Sequence, residues 1–434
     1  MPQPALAPAS WTPYARTDRV IDCVVVFALG LAAYALCYAG SALVDPRIVD
    51  TNDLRNVWFD ADPSAYYVSM TNRISGHWGA NVHPMLAFFM YTPTFAMTRG
   101  LGLSKPEAAR AVMSLAAAIW VGATFVLARV LGCRQLDAAL VSLLAATSAA
   151  AMFMFVVPEF HPFGGVTLVL CLIFWAVSRD RWFSTAWYVA FNALSAAATV
   201  TNWPLGVAIA FSAGGIRRAA RVTAGGAVLL VALSALQRLA FPTATPILWR
   251  AEGYAIASTE APTPRRIIET TQAFFFHSVI MPTLVPIGAS AARPVGSAEW
   301  SYRALSVQHS RPGSASVAGA LAVPLWTILL ASGALACFRD RGRSLVLPIA
   351  LAGQWALYSI FGDETFLYAL NWLPLLTAFV AVAFVNARGI ALRLVLTGLI
   401  LVGGINNVAQ FRVAVDMLSH PDRYPAMAVA TRQP

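Results

Sequence analysis

The sequence predicts an all-α polytopic membrane protein, and three observations carry that prediction. Of its 434 residues, 58% are hydrophobic and 12% charged, against roughly 25% charged in an ordinary soluble domain, and the mean hydropathy is +0.65. Apolar runs long enough to cross a hydrocarbon core of roughly 30 Å recur along the chain. They lack the alternation of barrel strands, so their backbone groups must pair within helices. The arginines gather in short clusters between the runs, as topology determinants do. That pattern accounts for the formal net charge of +10 and argues against nucleic acid as a partner. Cys23, Cys37, Cys133, Cys171 and Cys337 lie in or beside apolar segments with no C-x-x-C, so they predict neither a disulfide framework nor a zinc site.

Residues 1–19 read as a cytoplasmic N-terminus. Arg16 and Arg19 precede an apolar run over 20–44 without a small-residue cleavage site, which predicts a retained first span rather than a signal peptide. Further runs at 108–131, 137–157, 163–178, 183–200, 203–216, 222–241, 316–338, 345–361, 367–386 and 390–408 bring the expected number of crossings to about eleven. With the N-terminus inside, the inner loops hold Arg129 and Arg134, then Arg179 and Arg181, then Arg217, Arg218 and Arg221, then Arg339, Arg341 and Arg343, then Arg388 and Arg393. The short outer turns Pro158–Pro162, Val200–Asn202 and Gly362–Phe366 contain no Lys or Arg. This is the positive-inside distribution, and it predicts a plasma membrane protein, of a bacterial inner membrane type, with its functional face outward. Counting Pro84–Met97 as a span would invert every later loop. Its brevity, Pro84 and Pro93 predict an interfacial or re-entrant helix instead. The organisation is then a membrane module over 20–241 with an outer loop at 45–107, a second outer loop at 242–315, C-terminal helices over 316–408, and an outer tail at 409–434.

Polar residues concentrate on the outer side. Asp45, Asp50, Asp53, Asp60 and Asp62 are five of the twenty acidic residues and fall within eighteen positions. Asp62 before Pro63 has the form of a helix N-cap with Pro at N1, opening a helix through Tyr66, Tyr67 and Met70. A carboxylate there still faces the outer cavity and is a candidate general base, with Asp60 as its competitor. His83-Pro84 opens the interfacial helix and places an imidazole near the headgroup boundary. Glu159 and His161 interrupt two apolar runs, where each costs several kcal/mol unless paired or wet, so they are expected to line a polar cavity. Asp363, Glu364 and Tyr368 form a third outer turn, with Asn371 one turn deeper. Asn202 lies at the outer interface beside Trp203. Arg238 runs against the charge rule near the outer end of its span, either snorkelling to the surface or gripping a lipid phosphate.

On these residues the chain resembles the GT-C superfamily of membrane glycosyltransferases, the group containing protein O-mannosyltransferases and bacterial aminoarabinose transferases. Those enzymes carry a catalytic Asp just before a Tyr-containing helix, then a His/Lys-Pro segment along the membrane. The matching residues are Asp60 or Asp62, Tyr66-Tyr67, and His83-Pro84-Met85-Leu86, with Met85 where the family has a second Pro. Residues 108–115 resemble the family's next span, and Pro158–Pro162 falls at its second outer loop. The resemblance covers residues 20–240 by motif and the remainder by topology. It implies a GT-C-like fold of about eleven transmembrane helices with interfacial helices in the first outer loop.

The activity implied is transfer of a sugar from a polyprenyl-phosphate-linked donor to a lipid, glycan or protein acceptor at the outer membrane surface. Asp62 is the first choice for general base and Asp60 the second. Tyr66, His83, Glu159, His161, Asn202, Arg238, Glu364 and Tyr368 are the expected substrate contacts. The leaving phosphate calls for cations, which Arg238, His83 or an arginine of the 242–315 loop would supply. A divalent cation on oxygen ligands is compatible with such a site, although nothing in the sequence requires one. The rival reading is a transporter or lipid flippase, in which the same carboxylates carry protons. Transporters place ionisable groups near the midplane on broken helices, whereas these cluster at the outer ends.

Overall fold

The computed structural model describes residues 16–50, 56–249, 262–292, 300–339, 345–386 and 389–424. Asp53, Arg293, Arg341, Arg343, Arg388 and residues 425–434 lie outside that set, as do the side chains of Arg16, Asp50 and Arg303. The described chain is mostly helical. In order it runs α1 (Arg16–Leu43), α2 (Arg47–Asp50), α3 (Pro63–Thr71), α4 (Leu86–Gly100), α5 (Lys105–Leu131), α6 (Gln135–Thr147), α7 (Ala149–Met154), α8 (His161–Ser178), α9 (Thr185–Ala197) and α10 (Trp203–Ala240). After α11 (Pro264–Gln272) come strands β1 (Val285–Ala292) and β2 (Trp300–Ser306), then α12 (Val317–Arg339), α13 (Val346–Tyr358), α14 (Leu373–Asn386) and α15 (Ile390–Ser419).

Six helices are long and apolar enough to cross a membrane, namely α1, α5, α8, α10, α12 and α15. A seventh is reached if the turn Thr365–Asn371 and the following helix, bent by 55°, count as one span. These helices fit an integral membrane protein, but the described residues do not reach the expected eleven crossings. The shortfall has local causes. The run at 137–157 is cut at Ser148, whose hydroxyl accepts the Ala151 N–H, while the N–H groups of Ala149 and Ala150 donate to the carbonyls of Val279 and Ser278. Helices α9 and α13 each have 13 residues, a length of about 20 Å. Helix α15 continues to Ser419, past the expected end at 408.

Helix α5 is the hub. It opens with a capping box, in which Ser104 Oγ accepts from Glu107 N–H while Glu107 accepts from Ser104 N–H, and it ends at Gly132 with φ +109°. Most of its apolar stretch is buried, whereas α1 lies along it with its other faces open. Two close approaches seat α1, Gly30 against the Ala118 carbonyl and Gly122 against Val26, as small residues permit between membrane helices. Arg129 then pairs with Asp22 at 2.9 Å and Arg393 with Asp137 at 2.6 Å, fastening α5 to α1 and α15 to α6.

Helix α10 is broken at Gly214 and Gly215, the latter at φ +69°. Gly206 and Gly226 press so closely on Asn192 of α9 that a Cβ at either would collide with it. A straight helix would separate those glycines by about 30 Å, so the chain folds back at the break and its two halves flank α9.

The 242–315 region departs from the all-α expectation through an antiparallel β1–β2 hairpin. The amide of Leu305 in β2 donates to the Val57 carbonyl, and the amide of Phe59 donates to the Leu305 carbonyl, both at 3.1 Å. Helix α4, with 15 residues, packs through Ala87, Phe88 and Tyr91 against Phe241 and Ala244, and the amide of Ala87 donates to Gln237.

Candidate functional site

A cavity of about 540 Å³ opens where the starts of α3 and α8 meet the turns at 199–202 and 361–368. Asp60, Asp62, Tyr66, His83, Glu159, His161 and Tyr368 line it together, although four separate chain segments supply them. Asn56, Asn81, Thr199, Thr201 and Asp363 complete the polar wall.

Asp60 and Asp62 reach the cavity through a strained turn. Asn56, Phe59 and Asp60 have φ of 57°, 54° and 65°, each costing about 1–3 kcal/mol for a residue with a Cβ. Packing holds the turn in place. Trp58 and Phe59 are fully buried against Phe153, the Trp58 indole donates to the Phe153 carbonyl at 2.7 Å, and β2 takes the amide of Phe59. Asp62 occupies the N-cap position with Pro63 behind it, but its side chain makes no capping hydrogen bond. The carboxylate instead accepts the Asn56 N–H at 2.9 Å. The residue therefore starts the helix by position, while its carboxylate turns toward the cavity segment.

The carboxyl groups repel one another and are poorly hydrated. Loss of water around Asp60, and then the neighbouring charges of Glu364, Asp363 and Asp62, push its pKa up to about 8. Burial likewise pushes Glu159 up to about 8, against the opposing pull of backbone N–H groups. The Phe160 amide lies 2.6 Å from Oε1.

The two histidines are fixed as different tautomers. His83 Nδ1 donates to the Ala198 carbonyl at 2.9 Å, leaving Nε2 toward the Tyr66 hydroxyl at 3.5 Å. Burial pushes the His83 pKa down to about 4, so this imidazole is neutral near pH 7 and does not supply the expected cation. His161 Nδ1 accepts from Asn371 Nδ2 at 3.3 Å, which leaves the proton on Nε2. Asn371 also donates to the Tyr358 hydroxyl at 2.9 Å and accepts from Asn202 at 3.3 Å, and Gln354 donates to Asn202 at 3.2 Å. His161 thus stands on a buried polar network.

Three expected substrate contacts sit elsewhere. Asn202 lies behind the wall in that network. Glu364 is buried behind Asp60, accepting from Ser306 Oγ at 2.5 Å and from the Val307 amide at 3.2 Å, and so ties the 361–368 turn to the end of β2. Arg238 is exposed and donates to the Ala244 carbonyl at 2.9 Å. Two loop arginines are committed as well: Arg265 pairs with Glu269, and Arg266 donates to the carbonyls of Ser359 and Gly362. No Lys or Arg is among the described lining residues.

The sequence reading missed Thr199, Tyr358, Gln354 and Leu305. Gln354 and Tyr358 carried a signal, being the polar side chains of an apolar segment. Leu305 carried none, because it acts through its backbone. Among the described residues no three His, Cys, Asp or Glu side chains converge as metal ligands. Neither protein-family models nor curated proteins give a match to this chain.

Proposed function

We propose that the chain is a GT-C-like membrane glycosyltransferase that moves a sugar from a polyprenyl-phosphate-linked donor to an acceptor at the outer surface. The observation supporting this reading is the meeting of Asp60, Asp62, Glu159, His161 and Tyr66 in one cavity at the ends of apolar helices. A polar lining at a helix end receives the head of a lipid-linked substrate whose tail stays in the bilayer. In the reaction Asp62 accepts the proton of the acceptor hydroxyl. The acceptor oxygen bonds to the anomeric carbon as the carbon–oxygen bond to phosphate breaks, and the phosphate leaves with the electron pair. A single displacement inverts the anomeric centre.

A phosphate entering an acid-lined cavity faces repulsion, and the raised pKa values of Asp60 and Glu159 reduce it. Both carboxyls are largely protonated near pH 7, so Asp60 offers a hydrogen bond to a leaving oxygen instead of a charge. Asp62→Asn should fold, retain donor and lose transfer by roughly 10²–10⁴-fold. Transfer at the parental rate by Asp62→Asn, with loss in Asp60→Asn, would move the base two residues upstream.

A further inference from the structure

A second polar cavity, of about 440 Å³, lies at the far end of α8 and includes Arg179, Arg181, Arg218, Trp182 and Tyr188 in its lining. Helix α8 has 18 residues and is about 27 Å long, so this cavity is close to one hydrocarbon thickness from the acid cavity. It is built around the break in α10. The Arg218 guanidinium stacks on the Tyr188 ring at 4.2 Å, and its Nη1 donates to the Ala213 carbonyl at 3.3 Å. Its Nε is buried with no hydrogen-bond partner among the described residues. A Cβ at Gly214 would stand 2.5 Å from Arg218 Cδ, so the glycine makes room for this arginine to fold back over the break. Arg179 lies over Trp175 at 5.3 Å. One carboxylate, Asp180, shares the lining with the three arginines, leaving a positive excess.

An apolar groove of about 830 Å³ adjoins it. Ser212 lines both spaces, and Phe211, Ile216, Val346 and Ile349 line the groove beside it. An arginine-lined chamber that continues into an apolar groove matches an acidic head on acyl chains. We infer that this is a binding site for an anionic phospholipid, with its phosphate against Arg179, Arg181 and Arg218 and its chains in the groove between α10 and α13. In the orientation the arginines predict, it belongs to the cytoplasmic leaflet. The arginine-lined site is separate from the acid cavity and independent of its chemistry. Arginines that served topology alone would be replaceable by lysine, whereas planar, stacked contacts to phosphate are not.

The test measures retention of phosphatidylglycerol by the purified full chain, using native mass spectrometry in nanodiscs of phosphatidylglycerol, of phosphatidylcholine, and of phosphatidylcholine with added inorganic phosphate. Wild type should retain phosphatidylglycerol. Arg218→Gln should weaken retention about fivefold, the loss expected for one arginine near an anionic lipid surface. Arg218→Lys should weaken it too, and Gly214→Ala should do the same without removing a charge. Circular dichroism of each variant, with unfolding temperature, separates lost binding from lost fold. Equal retention of phosphatidylcholine, retention unchanged in folded Arg218→Lys and Gly214→Ala, or displacement of the lipid by inorganic phosphate alone would overturn the assignment. Recovery of polyprenyl phosphate in place of phosphatidylglycerol at these arginines would overturn it as well.

Discussion

The amide of Phe59 donates to the carbonyl of Leu305 at 3.1 Å, so a hairpin late in the chain holds the left-handed turn that carries Asp60. Leu305→Pro removes the N–H that meets Val57 and disturbs this register. The expected outcome is a loss of transfer of about 10²-fold from misplaced carboxylates, with helix content by circular dichroism unchanged. Parental turnover in this variant would show that the hairpin is dispensable to the site.

The raised carboxyl pKa values predict a sign for stability against pH. Between about 4 and about 8 the folded chain keeps a proton on Asp60 that the unfolded chain has released, so this group's contribution falls as pH rises through that window and is level above it. Glu159 acts in the same direction. His83, pushed down to about 4 from its ordinary 6.5, acts oppositely, costing stability as pH falls below about 6.5. Unfolding temperatures of Asp60→Asn and wild type, measured across that range, should diverge in favour of the variant as pH rises. Parallel curves would contradict the raised pKa of Asp60.

Asn371 links His161, Tyr358 and Asn202 in the polar layer under the cavity. Asn371→Ala strands buried partners at roughly 1–3 kcal/mol each. Thermal unfolding in detergent should fall clearly, and coupling to Asn202→Ala should be non-additive because the two side chains share one network. Additive effects would place the two residues in separate environments.

Much of this site was legible in the sequence because charge in an apolar chain is conspicuous. Asp60, Asp62, Glu159 and His161 stood out for that reason, and all four line one cavity. The Asp62 position was legible as a helix start, but its side-chain partner was not, since an N-cap residue can turn its carboxylate to another amide, here that of Asn56. Helix lengths were overread where composition stays apolar across a backbone break, as at Ser148. The hairpin was missed because its contacts to Val57 and Phe59 are made by backbone groups, which carry no side-chain signature.

Buried Glu364 is tied to the end of β2 through Ser306 and the Val307 amide. Ser306→Ala should lower the unfolding temperature by leaving a buried carboxyl with fewer donors, at about 1–3 kcal/mol. Glu364→Gln in the same background should add little, as expected within one hydrogen-bonded unit. A full additional loss in the double variant would separate the two contacts.

The most direct test of the proposed chemistry follows the lipid carrier itself. Purified protein in nanodiscs is given a polyprenyl-phosphate-linked radiolabelled sugar and an extract of envelope acceptors, and released polyprenyl phosphate and labelled product are both quantified. Wild type should release equimolar carrier and product, with both reduced roughly 10²–10⁴-fold in Asp62→Asn at unchanged donor retention. In sealed vesicles, movement of the intact lipid-linked sugar across the bilayer with no released carrier would contradict it and indicate a transporter.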